Sequence, residues 1–156
     1  MTPRSLIASL MLATACGSSA PAPTTASPVA TAPAPTAPVA EAVGPDGPAD
    51  IGLPEGFSVP SGKEAVAKGA AVFIAKGCGG CHKFEEKLVG PPLAGLGERR
   101  TDAWIAKMIL HPEDMTKKDP VAKDLYRSIM TQMTNQGVGP DEVGPLIAYL
   151  KSGGKE

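Results

Sequence analysis

Apolar residues recur at helical spacing through the second half of the chain. Ala65, Val66, Gly69, Val72 and Phe73 form one face of a helix. Ser61-Gly62-Lys63-Glu64 just before them has capping-box spacing, and the pattern predicts an end near Gly77. Thr101 or Asp102 caps a second predicted helix, which carries Trp104, Ile105, Met108 and Ile109 and stops at Pro112. Asp119-Pro120 supplies the cap and first position of a third, with Val121, Leu125 and Ile129 on its apolar face. A last helix opens at Gly139-Pro140-Asp141-Glu142 and carries Val143, Leu146, Ile147 and Leu150 as far as Gly153. Pro145 falls in its first turns, where it is tolerated. No convincing strand and no internal repeat stands out. The expected class is all-α, with about four helices.

The pattern before residue 61 is different. Arg4, the apolar run Leu6–Ala13 and the small residues Ala13-Thr14-Ala15 read as an export signal over residues 1–15. Leu12-Ala13-Thr14-Ala15-Cys16 resembles a bacterial lipoprotein box, although Leu12 stands four places before the cysteine where such boxes usually have three. That resemblance implies a lipid on Cys16, hence membrane anchoring, and Gly17 after it favours the outer membrane. Gly17–Pro48 holds 9 Ala, 8 Pro, 4 Thr and 3 Ser in 32 residues, with Glu41 and Asp46 its only charges. Such a segment cannot bury enough apolar surface to offset chain entropy. Residues 16–60 are therefore expected to form a disordered tether. The 32-residue stretch would span about 30 Å as a coil and about 100 Å fully extended. The folded head is expected over residues 61–156.

Composition narrows the function. The chain has 156 residues with a net charge of −1, and from residue 49 on its 14 basic residues balance 14 acidic ones. That neutrality excludes a polyelectrolyte nucleic-acid binder. Aromatics are only 4%, so a prosthetic group would supply apolar bulk the side chains lack. Three cysteines are an odd number, which speaks against a plain disulfide framework.

Cys78-Gly79-Gly80-Cys81-His82 is the attachment signature of c-type haem. One short turn presents two thiols to the two vinyl groups on one porphyrin edge, and the next residue, His82, lies under the iron as proximal ligand. Gly79 and Gly80 let the backbone turn tightly against the ring. A zinc site would need four ligands, and only His111 and Cys16 remain to complete one. A thioredoxin-like pair would need a βαβ context that is missing here.

Residues 62–152 resemble a class I cytochrome c of the small bacterial monohaem type. Gly69 and Phe73 match the N-terminal-helix pair of that family, and Leu146 and Tyr149 match the C-terminal helix it crosses. Gly90-Pro91-Pro92-Leu93-Ala94-Gly95-Leu96 resembles its G-P-x-L-x-G segment. The resemblance implies a cytochrome c-like fold around one covalent haem c. It also implies that the Pro91 carbonyl accepts the second imidazole N–H of His82, fixing its tautomer. Met133-Thr134-Asn135-Gln136-Gly137 resembles the family's ligand loop, 51 residues after His82, with Thr134 where the family usually has Pro. Met133 is thus the foremost candidate for sixth ligand. Met130 follows it, and Met115, set in a charged loop, His111 and an open site stand further back. Met108 is expected in the core, and His111 on the surface. Arg99 and Trp104 are candidates to bind the propionates, as is Arg100.

A His/Met-ligated iron has no free position, which suits one-electron transfer. The implied protein is an electron carrier of a bacterial respiratory or other periplasmic chain. It would be exported, membrane-tethered, monomeric in its head, and would meet membrane or periplasmic redox proteins. A gas-binding sensor or a small haem peroxidase is the alternative, and either needs an open or labile sixth position.

Overall fold

The computed structural model describes residues 43–155. The expected export signal, lipid-bearing Cys16 and most of the tether lie outside the described residues. Six helices follow in order: α1 (Lys63–Ala75), α2 (Leu96–Arg99), α3 (Asp102–Leu110), α4 (Pro112–Lys118), α5 (Pro120–Ile129) and α6 (Pro140–Lys151). A single 3-10 turn over Cys78–Gly80 sits between α1 and α2. Among the described residues there is no strand. The all-α expectation holds, and the number of helices is larger than the expected four.

The frame is the crossing of α1 and α6. A Cβ on Gly69 would lie 2.7 Å from both the Pro145 carbonyl carbon and the Tyr149 Cβ, so only glycine permits this approach. Phe73, Phe84 and Tyr149 pack around the crossing with ring centroids 5.4 to 6.0 Å apart. Ile105, Val143, Leu146 and Ile147 are almost fully buried beneath it.

Local chemistry sets most boundaries. The Thr101 hydroxyl accepts from Trp104 N at the start of α3, and the Asp119 carboxylate accepts from Ala122 N at the start of α5. The capping box at Ser61 does not form. Gly62, at φ 96°, precedes α1 with no side-chain cap. A capping interaction instead opens α6, where the Glu142 carboxylate accepts from Gly139 N at 2.6 Å.

Two departures concern segments that read as polar. The charged stretch around Met115 is helix α4, and Met115 is fully buried. Pro112 at its first position and Lys117 and Lys118 in its last turn favour this short helix. The C-terminal part of the expected disordered tether is also packed. Ile51 is buried, Lys107 Nζ donates to Pro48 O at 2.8 Å, and Lys118 pairs with Asp50 at 2.6 Å. A Cβ on Gly47 would press on Trp104 and Met115, each at 3.3 Å. Residues 43–60 therefore form a strap along α3, α4 and α6. Its few apolar residues, Ile51, Leu53, Phe57 and Val59, join the core cluster. Composition averaged over the whole segment concealed them.

Candidate functional site

Helix α1 ends at Ala75, and Gly77 in the left-handed region (φ 68°) reverses the chain into the Cys78–Gly80 turn. His82 N and Cys81 N both donate to Cys78 O, which closes the turn and sets the two cysteines and the histidine on one loop. Both thiols are free, Cys78 half-buried and Cys81 exposed. Burial pushes the Cys78 thiol above its ordinary range.

The following loop folds back over this turn. Gly90 N donates to Cys81 O, and Leu93 and Ala94 donate to Lys83 and Phe84. The return brings Pro91 O to 3.0 Å from His82 Nδ1. A donor at Nδ1 leaves Nε2 as the ring atom free to ligate. Gly90 stacks on the imidazole so closely that a Cβ there would collide with the ring, 2.7 Å from Nδ1. That contact escaped sequence reading, although its signal was present in the glycine preceding Pro91.

These residues line one cavity of about 430 Å³. Cys78, Cys81, His82 and Pro91 contribute to its wall, and so do Arg99, Trp104 and Met133. Leu93, Ile105, Ile109 and Leu146 add apolar surface from the core. Met130 is outside this lining, 78% exposed, at the left-handed residue (φ 57°) that ends α5. Met115 is buried away from it, and His111 is exposed at the α3–α4 junction. Met108 packs against the core and also reaches the lining. Of the candidate sixth ligands, Met133 reaches the cavity, and Met108, the methionine expected in the core, lines it too.

The expected propionate donors differ from one another. The Arg99 guanidinium donates to Ala94 O and, at 3.4 Å, to Pro92 O, so it braces the loop that carries Pro91. Arg100 lies over the Trp104 ring, 5.2 Å from its centroid. Trp104 Nε1 is buried with no hydrogen-bond partner, alone among buried side-chain polar atoms of the described residues. A buried donor without an acceptor is costly. An orphaned indole N–H on a residue that lines this cavity fits a carboxylate-bearing ligand.

The donor set also separates the readings of Cys78–His82. No group of three His, Cys, Asp or Glu side chains among the described residues gathers to hold a bare metal ion. The residues present fit a haem instead. Two thiols and an oriented imidazole share one loop, a thioether stands on the same lining, and Trp104 on that lining carries an unpartnered donor.

Residues 66–154 match the family model described as Cytochrome c. Among solved structures, a cytochrome c from Rhodothermus marinus is 25% identical and superposes with a TM-score of 0.60, covering 67% of this chain and 91% of that one. An engineered form of that protein is 24% identical with a TM-score of 0.60, over 67% of this chain and 92% of that one. A second engineered form, bound to a carbene intermediate, is 23% identical with a TM-score of 0.58 over the same shares. No curated protein matches the chain significantly.

Proposed function

The chain belongs to the cytochrome c family, whose domain binds covalent haem c and serves electron transfer, and from that premise we propose that it is a one-electron carrier whose haem His82 and Met133 would ligate. The observation that carries this reading is the single cavity lined by Cys78, Cys81, His82 and Met133. Haem supplies an iron that changes oxidation state by one electron, at a potential raised by methionine ligation.

The chain's own residues do the rest. Cys78 and Cys81 fix the group by two thioether links. Pro91 O holds the Nδ1 proton of His82, so the imidazole presents Nε2 in one orientation and with raised basicity. Met133 would offer the group a soft thioether. Trp104 Nε1 would donate to a carboxylate of the group, which would satisfy the orphaned buried donor. Leu93, Ile105 and Ile109 keep water from the cavity and lower its dielectric. A peroxidase would need an acid–base group at the open face, and the other histidine, His111, is outside the cavity.

We further propose that the head works at a membrane on the exported side. The support is the signal-like residues 1–15, the lipoprotein-like box ending at Cys16 and the Pro/Ala-rich segment after it. Its partners are membrane or periplasmic redox proteins met through small, transient interfaces.

Optical spectra of the matured full-length chain test the ligation, oxidised and reduced, with and without carbon monoxide. A low-spin spectrum is expected, with a methionine–iron charge-transfer band in the oxidised form and only slow replacement of the thioether by carbon monoxide in the reduced form. Met133→Ala should abolish the band, open the iron to carbon monoxide and lower the potential. If Met133→Ala leaves band and potential intact, Met133 is not the ligand. Ready carbon monoxide binding by the wild type would favour a gas-binding role.

A further inference from the structure

The segment that carries Met133 has no regular secondary structure between α5 and α6. Among the described residues, no backbone–backbone hydrogen bond involves residues 131–138. A stretch of eight residues without ladder or helix bonds needs another source of order. Here that source is side chains. Gln132 Nε2 donates to Met133 O at 2.9 Å and to Pro112 O at 3.4 Å. Gln132 Oε1 accepts from Thr116 Oγ1 at 2.9 Å. Asn135 Nδ2 donates to Leu110 O at 2.8 Å, a carbonyl at the open C-terminal end of α3. Asn135 Oδ1 in turn accepts from Gly137 N at 2.8 Å. Lys76 Nζ reaches Gly137 O at 2.7 Å.

We propose that Gln132 and Asn135 are positioning residues that hold Met133 at the cavity by pinning its loop to α4 and to the end of α3. The inference rests on Met133 being the sixth ligand. Gln132 grips the Met133 carbonyl itself and ties it to Thr116 and Pro112 on α4. Asn135, two residues further on, anchors the other flank to Leu110. Both anchor points belong to the α3–α4 corner, where Pro112 and Met115 are buried and rigid. Met133 is thereby fixed from both sides by side chains whose hydrogen bonds run to α3 and α4. Without them the loop has only the Gln136–Thr134 contact, which is internal to it, and the Lys76 bond at its far end. The loop would then open more often and release the thioether.

Asn135→Asp separates anchoring from local turn formation. It keeps the acceptor for Gly137 N and removes the donor to Leu110 O. Gln132→Leu keeps the volume and removes the grip on Met133 O. The readout is the rate at which carbon monoxide replaces Met133 in the reduced full-length holoprotein, at saturating gas, where loop opening is limiting. Loss of the one neutral hydrogen bond to Leu110 O is expected to raise that rate about fivefold to tenfold in Asn135→Asp, and loss of the three bonds of Gln132 by at least as much in Gln132→Leu. The charge-transfer band should weaken or shift while helix content stays unchanged. In a Met133→Ala background, Asn135→Asp should have no further effect, because no thioether remains to be released. If Gln132→Leu fails to mature, Thr116→Val loosens the same grip more mildly and should raise the rate by a smaller factor.

Unchanged rates in Asn135→Asp and in Gln132→Leu or Thr116→Val overturn the inference, as does an equal rise in the Met133→Ala background. If the wild type lacks the charge-transfer band and Met133→Ala leaves carbon monoxide binding unchanged, the ligand reading itself fails. If Met133→Ala behaves as a ligand loss and the anchor variants do nothing, the positioning role alone fails.

Discussion

The two walls of the cavity are built in opposite ways. On the His82 side, residues 77–94 are knit by main-chain bonds, from Gly80 N to Gly77 O through Gly90 N to Cys81 O and Ala94 N to Phe84 O. On the Met133 side, residues 131–138 make no such bond and hang from the side chains of Gln132, Asn135 and Lys76. Main-chain bonds depend on backbone geometry, which most substitutions leave alone. Side-chain bonds vanish with one mutation. The first wall is therefore suited to hold a group permanently, and the second to hold a ligand whose grip the chain can tune.

Three measurements press on that contrast, in order of effect. Gly69→Val strikes the frame on which both walls stand. Its side chain meets the main chain of Pro145, which has no rotamer to yield, and a loss of about 3 kcal/mol in urea unfolding is expected. Both walls should fail together, with loss of the methionine band and of secondary structure in one transition. If the band persists after helix content falls, the walls do not share this frame.

Gly90→Ala strikes only the His82 wall. The added methyl meets the imidazole, and a cost of about 2 kcal/mol is expected from overpacking against a ring locked by Pro91 O. The yield of attached haem should fall, and the His82 ring resonances should shift. Normal yield and unmoved resonances would show that the proximal loop gives way at no cost.

Acid should act most gently, and at the far end of the Met133 wall. The hydrogen bond from Lys76, then that from Gly139 N, holds the Glu142 carboxyl below its ordinary 4.5. A depressed carboxylate stabilises the fold fully above the ordinary range, and the contribution is lost as pH falls through the depressed value. The pair is partly solvated, with side chains 23% and 37% exposed, so its effect is small. Unfolding of wild type and Glu142→Gln should differ near neutrality and converge as pH falls well below the ordinary 4.5. A gap that stays constant with pH would remove the charge from the explanation.

The same contrast governs what sequence reading reached. Cys78, Cys81 and His82 were legible because their chemistry depends on spacing within one turn. Gly69, Pro91 and Met133 were legible through resemblance; Gly69 lies at the α1–α6 crossing, Pro91 O beside His82 Nδ1, and Met133 on the cavity lining. Helix α4 was not legible, because Pro112–Lys118 offers little apolar pattern and folds by burying Met115 and Pro112. Nor was the packing of residues 43–60. Gly47, Pro48 and Asp50 read as linker, and they count only because Trp104, Lys107 and Lys118 meet them.

By itself, then, the sequence determined the helical class and the Cys78–His82 turn, whose spacing marks covalent haem attachment. These are properties of residues close together in the chain, where spacing alone fixes geometry. Only the tertiary structure decided that Met108 lines the cavity beside Met133, what holds the Met133 loop, and that a Pro-rich strap belongs to the head. Those outcomes depend on partners such as Leu110, Thr116 and Pro145, which stand far along the chain or on another helix. Their effect is fixed by packing and hydrogen-bond satisfaction, and neither is a local property of the chain.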